Sequence, residues 1–203
     1  MSLETWLLYL LAATGLSLSP GPNSLLALTH GALYGWRPTL ATIAGGAFGF
    51  VALIALSLFG IGALLASSPV WLQALQWSGG GYLAWLGVQV WRAPPIRLHL
   101  GAPADPVSPW TLWRQGLLAA LTNPKGVLFF AAFLPQFIDP QRSLVPQCLL
   151  MAGTFAVVEA LTEGLLAATA HRFSGWLGRV GRTFNRACGA LFIAIGVLLP
   201  LRG

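Results

Sequence analysis

The run TLATIAGGAFGFVALIALSLFGIGALLASSP, Thr39 to Pro69, is followed directly by VWLQALQWSGGGYLAWLGVQVW, Val70 to Trp91, and neither contains Asp, Glu, Lys or Arg. About 20 apolar residues suffice to cross the hydrocarbon core of a bilayer as a helix, so this stretch alone holds two candidate spans. A helix of a soluble domain keeps a polar face that recurs with the helical period, and here whole stretches lack one. Over the whole chain 56% of residues are hydrophobic and 8% are charged, against about 25% charged in an ordinary soluble domain. These runs are too long and too continuous for the strands of a membrane barrel, which alternate apolar and polar over about ten residues. The expected fold class is therefore an all-α integral membrane protein.

Outward from this pair, the same reading marks six transmembrane helices. The first covers about Glu4 to Tyr34 and is broken by Ser19-Pro20-Gly21-Pro22-Asn23; the second covers about Pro38 to Ala66 and the third about Pro69 to Trp91. The fourth, about Trp113 to Phe137, is broken at Asn123-Pro124-Lys125; the fifth runs from about Val145 to His171 and the sixth from about Ala187 to Leu201. The two halves resemble each other: Gly80 and Gly87-Val88 match Gly189 and Gly196-Val197 at identical spacing, and Pro20 corresponds to Pro124. A repeat of three spans is odd, so the second copy must enter the membrane in the opposite sense, giving two inverted three-helix repeats. The expected division is residues 1–92 for the first repeat, 93–109 for a cytoplasmic connection carrying Arg97, His99 and Asp105, and 110–203 for the second repeat.

Net charge +6 does not indicate nucleic acid, because the basic residues lie between apolar runs, where they report orientation. Arg37, Arg92, Arg97, Arg114, Arg172, Arg179, Arg182 and Arg186 flank one set of connections, against Arg142 and Arg202 on the other. Lys and Arg collect on the cytoplasmic side, which puts both termini in the periplasm. The N-terminus, with Glu4 where a signal peptide carries basic residues, is read as retained. Trp6, Trp36, Trp71, Trp91, Trp110 and Trp113 fall near segment ends, as interfacial anchors do.

The candidate chemistry lies at the two breaks. Pro20 and Pro22 donate no backbone hydrogen bond, and Pro22 disfavours helical geometry at Gly21. Unpaired backbone at membrane depth survives only where protein packs on it or a wet cavity admits it. Asn23 or Ser24 is then expected to cap a new half-helix whose N–H groups favour a carboxylate; a simple kink satisfied by neighbouring helices is the plainer reading. Lys125, with some ten apolar residues on either side, would cost about 2.5–3.5 kcal/mol unpaired at the bilayer centre. It is expected to hold a substrate carboxylate or an internal acid, with snorkelling to an interface as its structural alternative. Glu159 and Glu163 are the acids of the fifth span, and a spacing of four places them on one face. Two carboxylates so close in low dielectric resist being ionised together, the property a proton-coupling group requires; pairing with Lys125 or Arg172 as structural glue is the competing role.

The residues Ala41, Gly45 and Gly49 recur every four positions, the pattern of close helix packing. Cys148 and Cys188 have no metal or CxxC spacing, and His30, His99 and His171 share no metal-ligand pattern, so no metal or cofactor is expected. Nucleotide-binding loops, nucleophile elbows and HExxH motifs are missing from the sequence. That excludes an ATP-driven pump in a single chain, and no enzymatic activity is expected.

Ser19-Pro20-Gly21-Pro22-Asn23, together with Asn123-Pro124-Lys125, Leu128-Phe129-Phe130 and Pro135-Gln136-Phe137, resembles the paired motifs of the LysE/RhtB type of amino-acid exporters. Gly81 to Gly87 and Arg114-Gln115-Gly116 are similar to that family too, and the likeness covers nearly the whole chain. The resemblance implies a multi-pass protein of the bacterial inner membrane that exports amino acids or derivatives such as homoserine, threonine or homoserine lactone against proton influx. Substrate binding would fall to Ser19, Pro20, Gly21, Pro22, Asn23, Asn123, Pro124 and Lys125, and proton coupling to Glu159 and Glu163. Glu159 falls where family members often carry an acid. Phe50 stands where an Asp is common, and Glu163 where an apolar residue is more usual. Expected partners are a small zwitterion, protons and bilayer lipid, with self-association open. Two other readings stay in view: a membrane thiol carrier, which needs Cys148 and Cys188 within disulfide reach, and a structural membrane subunit.

Overall fold

A computed structural model of the chain describes residues 1–19, 21–67, 69–92 and 107–198. Pro20, most of the connection over 93–109 with Arg97, His99 and Asp105, and Arg202 lie outside the described residues, as do the side chains of Trp71, His171, Arg172 and Arg179. Among the described residues every regular element is helical: α1 (Leu3–Leu18), α2 (Pro22–Tyr34), α3 (Trp36–Ser67), α4 (Pro69–Arg92), α5 (Pro109–Leu121), α6 (Pro124–Phe133), a short 3-10 turn (Leu134–Phe137) and α7 (Leu144–Leu198).

Local chemistry sets most of these boundaries. Ser2 caps α1, its Oγ accepting from Thr5 N at 3.1 Å, and Ser108 caps α5 by accepting from Thr111 N at 3.2 Å, with Pro109 at the first helical turn. Proline suits that position because its missing N–H would be unpaired there anyway. Ser19 and Gly21 are both extended, as residues preceding proline tend to be. Gly35, at φ +84°, joins α2 to α3 in a conformation that a side chain would strain.

By length and composition, Trp36–Leu58 and Leu144–Ala170 each suffice to cross a membrane. A third such unit is formed if Pro109–Leu121 and Lys125–Phe137, bent by 54°, act as one broken span; Leu3–Leu18 and Asn185–Leu198 are shorter apolar helices. The expected fifth and sixth segments are joined within α7 rather than separated by a loop. No proline falls between Pro146 and Pro200, so nothing in the intervening arginine-containing stretch removes a helical hydrogen bond. Even so, α7 bends back on itself. Tyr9 Oη donates to Met151 O at 3.0 Å and Trp6 Nε1 donates to Thr154 Oγ1 at 3.1 Å, while at Gly15 α1 packs against Leu191 and Phe192. Tyr9 and Gly15 are about 9 Å apart along a helix, whereas Met151 and Leu191 would be about 60 Å apart on a straight one.

Helices approach closely where side chains are small. A Cβ on Gly45 would collide with the backbone of Trp113, one on Gly116 with the backbone of Thr42, and one on Gly49 would stand 2.7 Å from Ala120 Cβ. Gly45 and Gly49 therefore seat α3 on α5, as the packing stripe implied. Gly87 and Gly189 likewise bring α4 against the returning part of α7, a Cβ on Gly87 standing 2.7 Å from Gly189 O. The core is rich in aromatic rings: Tyr9, Phe129, Phe130, Phe133, Phe137, Phe155 and Phe192 are fully buried. Large apolar residues such as Leu3, Leu7, Leu11, Phe48, Leu56, Leu161 and Leu165 face outward, the arrangement a lipid environment allows and water disfavours.

Candidate substrate site at two helix breaks

The two breaks meet inside the bundle. Gly21, Asn23 and Ser24 from the first, and Asn123, Lys125 and Gly126 from the second, line one cavity together with Leu16, Phe50, Phe155 and Glu159. Its water-accessible volume is about 10 Å³, room for a single water molecule.

The breaks differ in how their backbone groups are satisfied. At the second, Asn123 closes the helix start itself, its Oδ1 accepting from Lys125 N at 3.1 Å and Gly126 N at 3.4 Å, with Pro124 at the first position of α6. At the first, the cap of α2 is Gly21, which offers no side-chain acceptor, and Pro22 occupies the first position. This corrects the expectation that Asn23 or Ser24 caps α2: a proline at the first helical position places the cap one residue before it, which makes Asn23 the second helical residue and Ser24 the third. No side chain caps the N–H groups that open α2, and the positive end of its dipole faces the cavity region.

Lys125 bridges the two breaks. Its Nζ donates to Ser19 O at 2.8 Å, to Leu16 O at 3.2 Å and to Ser19 Oγ. These acceptors are the carbonyl end of α1, so the ammonium occupies the negative pole of that helix. Lys125 is thus neither snorkelled nor paired with an acid: among the described residues it forms no ion pair within 4 Å, unlike Arg142, whose Nε lies 3.0 Å from Asp139 Oδ2.

Glu159 and Glu163 are both buried, 3% and 1% exposed, and lie within interaction range of each other, with Glu159 also in electrostatic reach of Lys125. Glu159 lines the cavity, whereas Glu163 does not. Glu163 instead converges with Asn23 on Gly46: a Cβ there would stand 2.8 Å from Asn23 Nδ2 and 3.7 Å from Glu163 Oε2. Asn23 Oδ1, Ser17 Oγ, Glu159 Oε2 and Glu163 Oε1 are buried without a hydrogen-bond partner. Such atoms are costly to leave unpaired, and two of them, Asn23 Oδ1 and Glu159 Oε2, belong to residues that line the cavity.

Of the expected substrate residues, Gly21, Asn23, Asn123 and Lys125 line the cavity, Ser19 holds Lys125, and Pro22 is exposed. Sequence reasoning missed Phe155 as a wall residue. Its signal was available, since Phe155, Glu159 and Glu163 recur every four residues on one helical face. Phe50 belongs to the parallel face of α3 with Thr42 and Gly46, adjacent to the small-residue stripe. His30, given no role, is buried with Nδ1 2.8 Å from Thr42 Oγ1. Cys148 and Cys188 are free thiols, Cys148 lining an apolar groove with Leu58 and Leu144, Cys188 lying in the core. No group of three potential metal ligands occurs among the described residues.

The profile of the LysE type translocators matches residues 14–203. The chain belongs to that family. It is 38% identical over 202 residues to a homoserine/homoserine lactone efflux protein of Salmonella typhi, covering 98% of this chain and 97% of the relative. It is 37% identical over 203 residues, 98% of each chain, to an uncharacterized membrane protein of Vibrio cholerae. A leucine efflux protein of Enterobacter is 29% identical over 198 residues, 94% of this chain and 92% of the relative. No solved structure matches. As a LysE type translocator the chain is a membrane transporter rather than an enzyme.

Proposed function

We propose that this translocator exports small amino acids or their derivatives, of the homoserine, threonine or homoserine-lactone type, from the cytoplasm across a bacterial inner membrane, coupled to proton influx. The observation that carries the reading is the cavity in which the uncapped start of α2, Asn123, Lys125 and Glu159 converge. A zwitterion presents a carboxylate and an ammonium a few ångströms apart. Its carboxylate is met by the amides of Asn23 and Ser24 and by the positive field of Lys125, its ammonium by Glu159. The Salmonella relative named for homoserine and homoserine lactone efflux supports the substrate class.

In this reading the chain makes six spans arranged as two inverted repeats, residues 1–92 and 110–203 joined by a cytoplasmic connection, with both termini periplasmic. α1 with α2 and α5 with α6 are the two broken spans, and α7 contributes two. Alternating access rocks one repeat against the other around the breaks. Each export event protonates the Glu159 and Glu163 pair from outside and releases the proton inside. A proton moving down 100 mV supplies about 2.3 kcal/mol, enough per ion for roughly a fifty-fold gradient of a neutral zwitterion.

Inverted vesicles carrying the protein are expected to take up radiolabelled homoserine when their interior is acidified, and to stop when a protonophore is added. Glu159→Gln is expected to abolish the uptake at normal expression. Uptake equal to that of empty vesicles with homoserine, threonine and homoserine lactone alike would overturn the substrate reading; uptake indifferent to the proton gradient would overturn the coupling.

A further inference from the structure

One side of the cavity is polar and the other is a wall of phenyl rings. Phe50 and Phe155 both line it, packed edge to face with centroids 5.2 Å apart, and both meet Phe130 behind them, at 6.0 and 4.9 Å. All three rings are at most 3% exposed. Phe50 also lies directly against the second break: a Cβ on Gly126 would stand 2.9 Å from Phe50 Cε1. Phe155 is one helical turn before Glu159 on the same face of α7, so the carboxylate and the ring are presented side by side.

We propose that Phe50 and Phe155 set the side-chain specificity of the transporter, limiting its substrates to amino acids with short side chains. This rests on the amino-acid export reading and adds to it the part of the substrate that the wall reads. A zwitterion anchored at α2 and Glu159 must direct its side chain away from the polar groups and toward the rings. Phe130 backs the rings, so they have no room to retreat. A pocket wall of this kind discriminates by ~10–200-fold per methylene that does or does not fit. Removing one ring opens space of about a benzene's volume, as large-to-small changes in packed interiors do when the surroundings relax only partly.

The test is a competition profile: inhibition of radiolabelled homoserine uptake into inverted vesicles by unlabelled homoserine, threonine, leucine and phenylalanine, for wild type, Phe50→Ala, Phe155→Ala and the milder Phe50→Leu. Phe192→Ala, which removes a ring of the same core that does not line the cavity, serves as the control for loosened packing. The expected result is that Phe50→Ala and Phe155→Ala improve leucine or phenylalanine relative to homoserine by at least ~10-fold, with Phe50→Leu shifting the profile less and Phe192→Ala leaving it as in wild type. An unchanged order of preference in those cavity variants that reach the membrane, or the same shift in Phe192→Ala, would overturn the proposal. If the alanine variants fail to accumulate, Phe50→Leu alone decides it. Absence of homoserine uptake by wild type would instead count against the export reading itself.

Discussion

Lys125 shows how a single intramembrane charge can serve architecture and, in the proposed mechanism, transport as well. Its ammonium finds acceptors at Ser19 O, Ser19 Oγ and Leu16 O; Leu16 O also accepts from Ser19 N and Ser19 Oγ, so Ser19 O is the group that depends on the lysine. Lys125→Met strands Ser19 O, and leaving a buried polar group unsatisfied costs about 1–3 kcal/mol. The variant is expected to melt at lower temperature in detergent and to lose transport, whereas Asn123→Asp, which keeps the acceptor for the Lys125 and Gly126 amides, is expected to remain folded by the same thermal assay. The need for partners at Lys125 was legible from its place in an apolar run. The identity of those partners was not, because carbonyls become free acceptors only where another helix ends, and that end lies more than a hundred residues away in the chain. The cap of α2 was legible and was misplaced: Pro22 at the first helical position points to Gly21.

At the scale of elements, sequence patterning specified the helices better than their connections. The spacing of Ala41, Gly45 and Gly49 marked a packing face without naming its partner, and α5 occupies it because Gly116 is equally small. Gly116→Leu would drive a side chain into the Thr42 backbone and separate α3 from α5. The expected outcome is severe loss of folded protein, seen as aggregation in size-exclusion chromatography, while Gly153→Leu, where a Cβ meets open space, is expected to be tolerated. A reversal between the fifth and sixth spans was legible from the way charge and apolarity divide the segment, but the helical continuity of α7 through it was not, since Ser174-Gly175, Gly178 and Gly181 read equally well as a loop. Spin labels at Leu149 and Val197, both exposed, in a background with Cys148 and Cys188 replaced, are expected to lie less than about 40 Å apart, against about 72 Å for a straight helix. A distance near the larger value would refute the bend.

For the whole molecule, the arginines of the connections divide unevenly between two sides, and the proposed orientation follows from that bias. Alkaline phosphatase fused after Gly203 is expected to be active and a fluorescent protein at the same point dark; the opposite pair of results would invert the topology and with it the direction of the proposed proton path. The outward faces of α1 and α7, with Leu3, Leu7, Leu11, Leu161 and Leu165 exposed, suit acyl chains and leave the polar groups to the interior. The narrowness of that interior has a consequence for the cell. Space for one water between the two breaks is too little for a continuous thread of hydrogen-bonded water at that point, so an exporter working as proposed would pass no free stream of protons through this cavity while it holds this shape. On the proposed coupling, a membrane could then hold many copies between export events without discharging the battery on which they run.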